Sequence, residues 1–198
     1  DKIYWLIEDC KRYGTLPFAG IARSAFGATQ MLKSLVDIGV ISRNEHKRFM
    51  NGISTVAKNM GIDFYLLQTG KMPKSEFLKK YGHLRPGTYD ITSKRYDENF
   101  ENYFSIKKVN KPGLQEKFNF SKIQIRKIDK LIASHGLKTS ASGFIGFITK
   151  SIEGREYAKY IFTKSLSKAL QLIEKLGKEH KITREELSYV NIQAILGL

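Results

Sequence analysis

Arg155 and Lys159 stand one helical turn apart with Glu156 between them, in the segment Gly154-Arg155-Glu156-Tyr157-Ala158-Lys159. An arginine offers a planar fork of donors and a lysine a compact point charge. Such a pair suits a phosphate or carboxylate clamp, and in phosphoryl transfer it stabilises charge developing on the transferred group. Downstream, Phe162, Leu166, Ala169, Leu170 and Ile173 form one apolar helical stripe. At roughly 100° per residue, Arg155 and Lys159 fall within about 20° of Leu166, so both are expected to point inward or into a cleft. Two like charges on a buried face are costly to desolvate and require an anion. That anion is either a ligand or a carboxylate of the chain, such as Glu156. The alternative is that the pair sits beyond the end of the buried zone, and the inward phase holds only if the helix continues unbroken through Tyr157. Lys164, Lys168, Lys175 and Lys178 point the opposite way and read as solvated charges.

A second group of polar residues lies in Tyr81-Gly82-His83-Leu84-Arg85-Pro86-Gly87-Thr88-Tyr89-Asp90-Ile91, followed by Ser93-Lys94-Arg95-Tyr96-Asp97-Glu98. Gly82 and Gly87 permit positive φ and Pro86 stiffens the turn, so the backbone dictates where His83, Arg85 and Asp90 point. Taken singly, His83 also fits a helix C-cap and Asp90 a turn former.

The elements that position these groups read with helical period. Ile3, Leu6, Ile7 and Cys10 share one side of a first helix that Gly14 can end. A second runs from near Pro17 to Asp37, closed by Gly39. Ser42 and Glu45 have capping-box spacing and open a third helix with Phe49, Ile53, Val56, Met60 and Leu67 inward, broken at Gly70. Pro73 starts a short helix through Phe77 and Leu78, ended by Gly82. Between His83 and Phe120 the periodicity fails, and turn formers mix with Tyr89, Tyr96, Phe100, Tyr103 and Phe104. Those aromatics are expected to pack on the helices. Ser121 caps a helix carrying Ile125, Ile128, Leu131 and Ile132, stopped at His135-Gly136. A further helical stretch covers about 142–176 with Gly154 as a break, and Thr183 with Glu186 caps a last helix. No alternating strand pattern occurs. The expectation is an all-α fold, a single multi-helix domain over 1–198 with a long irregular central loop and a hinge within 83–120.

Composition narrows the function classes. Hydrophobic residues make up 41%, with 12 Phe and 10 Tyr, enough for a packed core. The single Cys10 excludes an internal disulfide, no Cys/His cluster has zinc spacing, and a reducing, cytoplasmic setting is expected. No apolar run reaches the ~20 residues needed to span a bilayer, so no membrane partner is expected. The chain starts at Asp1 and stops at Leu198 within an apolar segment, and reads as a piece of a longer protein. Lys and Arg number 34 against 19 Asp and Glu, a formal charge of +15 that favours anionic partners.

As a string, Gly-His-Leu-Arg-Pro-Gly-Thr-Tyr-Asp-Ile at 82–91 with Arg-Tyr-Asp-Glu at 95–98 resembles the helical central region of phosphoenolpyruvate-utilising phosphotransferases. These are phosphoenolpyruvate synthase-like proteins related to pyruvate phosphate dikinase and, more distantly, to rifampicin phosphotransferase. Phe18-Ala19-Gly20-Ile21-Ala22-Arg23 upstream, and Gly154 to Lys159 with Phe162 and Leu166 downstream, fit the same region in the same order. The resemblance implies a three-part enzyme in which an ATP-grasp-type domain phosphorylates a histidine on a swivelling domain, which delivers the group to an acceptor. It implies that Arg155, Glu156 and Lys159 face the incoming phosphohistidine as catalytic residues. It places His83, Arg85, Asp90 and Arg95 on the small-molecule acceptor side. ATP and Mg belong to the missing domains, which are the expected partners of this one; neither they nor a metal are expected here. His46, His83, His135 and His180 lack the Gly-rich Ser/Thr-His context of a carrier histidine, and no phosphate-binding Gly-rich loop is present. The piece is therefore not expected to be active alone. The competing readings are a basic helical nucleic-acid-binding module, disfavoured by its scattered charge and lack of a recognised motif, and a structural scaffold between domains.

Overall fold

The computed structural model describes residues 1–104 and 118–196. The fold is all-α, with no strand among the described residues. Helix α1 (Lys2–Asp9) passes through a π-helical turn (Cys10–Thr15) into α2 (Leu16–Asp37). There follow α3 (Arg43–Gly52), α4 (Val56–Gln68), α5 (Lys74–Tyr81), the short α6 (Phe100–Tyr103) and α7 (Lys122–Ser134). The long α8 (Ala141–Glu179) is succeeded by the short α9 (Arg184–Leu187) and α10 (Ile192–Leu196). The chain forms two compact units: the first comprises Asp1–Pro17, Ala57–Pro112 and Lys159–Leu198, the second Phe18–Val56 and Gly113–Ala158. Residues 105–117 of the expected hinge region lie outside the described residues.

Local signals account for several helix ends. Ser42, Ser121 and Thr183 each accept the N3 backbone N–H while the N3 side chain (Glu45, Gln124, Glu186) accepts from the cap, three complete capping boxes. Gly39, Gly70 and Gly136 adopt the left-handed conformation that closes helices, with φ of 70°, 72° and 66°.

Three expectations fail for physical reasons. Gly14 does not end the first helix; it sits buried in the π-helical turn. An added Cβ there would lie 2.7 Å from Cβ of Phe162, so glycine serves close approach rather than termination. The expected third helix is two, because Ile53 leaves helical geometry (φ −67°, ψ 134°) and the Ser54 N–H is taken by Glu153 at 3.0 Å. Gly154 does not break α8, which is 39 residues long. At 1.5 Å per residue that is about 58 Å.

In the second unit Ala28, Leu32 and Leu35 of α2 pack with Phe49, Ile128, Ile132 and Ile148. In the first unit Phe77, fully buried, sits among Tyr81 (ring centroids 5.1 Å apart), Phe104 (5.3 Å), Phe64 (5.9 Å) and Phe100 (6.0 Å). Tyr96 packs on Tyr103 and Phe104, so the central aromatics join the core as expected, except Tyr89, which is exposed. Edge-to-face pairs of this kind add about 0.5–1.5 kcal/mol each beyond their buried area.

Candidate functional site

The string from Gly82 to Glu98 folds back on itself. The Tyr96 N–H donates to the Leu84 carbonyl (2.8 Å) and the Asp97 N–H to that of Gly82 (3.2 Å). Within this closure Arg85 is buried, 7% exposed, and its guanidinium acts as a hub. Nη1 donates to the carbonyls of Asp90 (3.2 Å) and Ser93 (3.1 Å), and Nη2 to the Ser167 hydroxyl of α8 (3.4 Å). Burial lowers the Arg85 pKa, and Glu98 works against that shift. At Gly87 an added Cβ would lie 2.9 Å from the Asp90 Cβ, and the Gly87 N–H donates to the Ser93 hydroxyl. Glycine here lets the turn close against its own far side.

Every other acceptor-side residue is engaged within the same segment or on α8. The Asp90 carboxylate accepts from the N–H and hydroxyl of Thr92, which hold its pKa below the usual range. Arg95 grips the Asp97 carboxylate through Nε and Nη2. His83 lies against the Tyr160 ring (centroids 5.1 Å apart), with Nε2 3.4 Å from the Tyr160 carbonyl. Burial, only partly offset by that carbonyl, pushes its pKa down to about 4. The four residues predicted for the acceptor side thus share one motif, and their polar atoms build it.

Arg155, Glu156 and Lys159 are placed differently. Lys159 is exposed and Arg155 half-exposed, so the expected inward pair is not formed. Helical phase is sound as far as it goes: Ala141, Ile148, Phe162 and Ala169, all buried, fall on one seven-residue repeat with Arg155 at its midpoint. No residue from 149 to 161 is fully buried, however, and Lys159 stands ahead of Phe162, where burial resumes. Phase sets direction around a helix, not where along it a core is present. The Arg155 guanidinium lies 5.3 Å from the centre of the exposed Phe26 ring, with Nη2 3.4 Å from Glu156. A solvent-exposed pair of this kind contributes ~0–1 kcal/mol.

Sequence reasoning missed a groove of about 660 Å³ in the first unit. The motif supplies Lys94 and Glu98 to it, and α8 supplies Lys168, Glu174, Lys175 and Lys178. Arg184, at the start of α9, completes the lining. Arg184 joins Glu98 (2.9 Å) and Glu174 through Nη2, and the other oxygen of Glu174 takes Lys178 at 2.7 Å. Burial alone would raise Glu98 and Glu174, but hydrogen bonds outweigh it, from Arg184 and the Arg95 N–H on Glu98 and from Arg184 and Lys178 on Glu174. Both carboxyls stay ionised and below their ordinary range. Lys168 and Lys175 are indeed solvent-facing, as their phase predicts. What phase cannot give is that Glu98 and Arg184, 86 residues apart, arrive beside them.

Among the described residues no group of three or more His, Cys, Asp or Glu side chains is placed to hold a metal ion. No described helix is long and apolar enough to cross a membrane. Comparison of the chain with protein-family models, curated proteins and solved structures finds no match.

Proposed function

We propose that this chain is the helical acceptor-side domain of an ATP-dependent phosphotransferase of the phosphoenolpyruvate synthase type, acting with a phosphohistidine carried on a separate domain. The observation that carries the reading is the closure of Gly82–Glu98 around buried Arg85. The 82–98 string that contributes most to the resemblance is a single hydrogen-bonded unit, which supports reading it as a motif. Arg155, Glu156 and Lys159, exposed or half-exposed on α8, are open to an approaching domain. Their charge suits them to stabilise a phosphoryl group arriving from outside. His83, Arg85, Asp90 and Arg95 act by holding the motif that borders the acceptor. ATP and Mg are handled by the neighbouring domains, in a reducing cytoplasmic setting that fits the lone buried Cys10.

The reading frame flanking the chain tests the proposal. An ATP-grasp domain before it and a phosphohistidine domain after it are expected, and absence of both sinks it. In that full-length protein, Arg155→Ala with Lys159→Ala should slow phosphoryl transfer to the acceptor at least about tenfold while leaving histidine phosphorylation by ATP intact. Unchanged transfer would favour an inter-domain scaffold instead.

A further inference from the structure

We infer that the groove between the motif and α8 is a binding site for a small ligand bearing a phosphomonoester or diphosphate group. Among the described residues five cations line it against two carboxylates, leaving three positive charges in excess. Those carboxylates are already committed. Glu174 spends one oxygen on Lys178 and the other on Arg184, and Glu98 accepts from Arg184 and from the Arg95 N–H. Among the described residues Lys94 and Lys175 therefore face the groove without an ion pair, and Lys168 has a neutral hydrogen bond, to Gln171 at 2.8 Å.

Three uncompensated ammonium groups around one concavity repel each other, and a multiply charged anion relieves all three at once. A monocarboxylate would neutralise only one. Lysines recognise charge more than shape, which fits phosphate oxygens presented in several orientations. Single-stranded nucleic acid is bound through aromatic stacking platforms beside a basic track, and no aromatic side chain lines this groove. The Glu98–Arg184–Glu174–Lys178 chain fixes the wall on which a phosphate would rest, so little ordering is required on binding. None of the seven residues carried over from the family resemblance lines the groove. The inference therefore goes beyond the phosphotransferase reading and stands or falls without it.

The test is an amide NMR titration of the chain with inorganic pyrophosphate, beside sulfate and an oligothymidylate, at matched ionic strength. Saturable shifts are expected at 94–98, 168–178 and 184, with pyrophosphate binding more tightly than sulfate. Lys94→Ala with Lys175→Ala should weaken pyrophosphate at least about tenfold, because two charge-assisted contacts are lost. Lys33→Ala with Lys150→Ala, also exposed but elsewhere, should leave it unchanged. Both pairs replace exposed lysines, so unaltered spectra away from the substitutions will confirm that folding is intact. Shifts that never saturate, or an equal response to sulfate, would overturn the proposal. So would an unaffected groove variant, or tighter occupation of the groove by oligothymidylate.

Discussion

Ser167, in the middle of α8, donates its hydroxyl hydrogen to the carbonyl of His83 at 2.6 Å. The same oxygen accepts from Arg85, so one small buried side chain fastens the motif to the helix from two directions. Ser167→Ala leaves that carbonyl without its donor in a buried setting. The expected loss is about 1–2 kcal/mol, read as a lowered denaturant midpoint with unchanged slope. No shift in midpoint would mean the contact is incidental.

Arg85→Met should loosen the motif more than it destabilises the whole chain. The carbonyls of Asp90 and Ser93 lose their shared donor, each at ~1–3 kcal/mol, against which removal of a desolvated charge returns part. Hydrogen exchange of the amides over 87–97 should speed at least about tenfold. Amides of the second unit, such as those around Ile128, should keep their protection.

The two glycines on or against α8 should respond in opposite senses. Gly14→Ala places a methyl 2.7 Å from Cβ of Phe162, both on backbone-fixed positions, and overpacking of this kind costs about 1–3 kcal/mol. Gly154→Ala meets only the Ile21 Cγ2 at 3.8 Å, an ordinary contact. Inside a continuous helix, replacing that glycine is expected to stabilise by about 0.5–1 kcal/mol. Thermal unfolding of the two variants beside the parent chain checks both signs.

Acid should weaken the first unit through His83. Its pKa is pushed down to about 4 in the folded chain, from the ordinary 6.5 that an unfolded chain would show. As pH falls below 6.5 the unfolded state takes up a proton that the folded state does not. The stabilisation is therefore complete above that value and is lost progressively down to about 4. His83→Phe keeps an aromatic ring against Tyr160 and removes the titration. Urea midpoints at pH 7.5 and pH 5 should diverge for the parent and converge for the variant. An equal drop in both would assign the acid sensitivity elsewhere.

Much of the fold is legible in local chemistry. The boxes at Ser42, Ser121 and Thr183 and the left-handed glycines at 39, 70 and 136 act within a few residues of themselves, so no distant contact is needed to read them. Gly14 and Gly154 escape such reading, because what decides a glycine inside a helix is its neighbour across space. Phe162 crowds the first, and nothing crowds the second. The break at Ile53–Thr55 is likewise visible only once Glu153 arrives to take the Ser54 N–H.

The charges divide the same way. The all-α class, the excess of cations and the spacing of Gly82–Glu98 follow from the amino-acid order, because helical period and turn chemistry are short-range. Which cations matter does not. Arg155 and Lys159 share a phase with buried residues yet remain exposed or half-exposed, since full burial along α8 lapses between Ile148 and Phe162. Lys168 and Lys175 look like solvated lysines in one dimension. The fold sets them beside Lys94 and around Arg184, whose two carboxylates come from separate parts of the chain. Electrostatic potential sums over everything nearby in space, and only the tertiary structure says what is near.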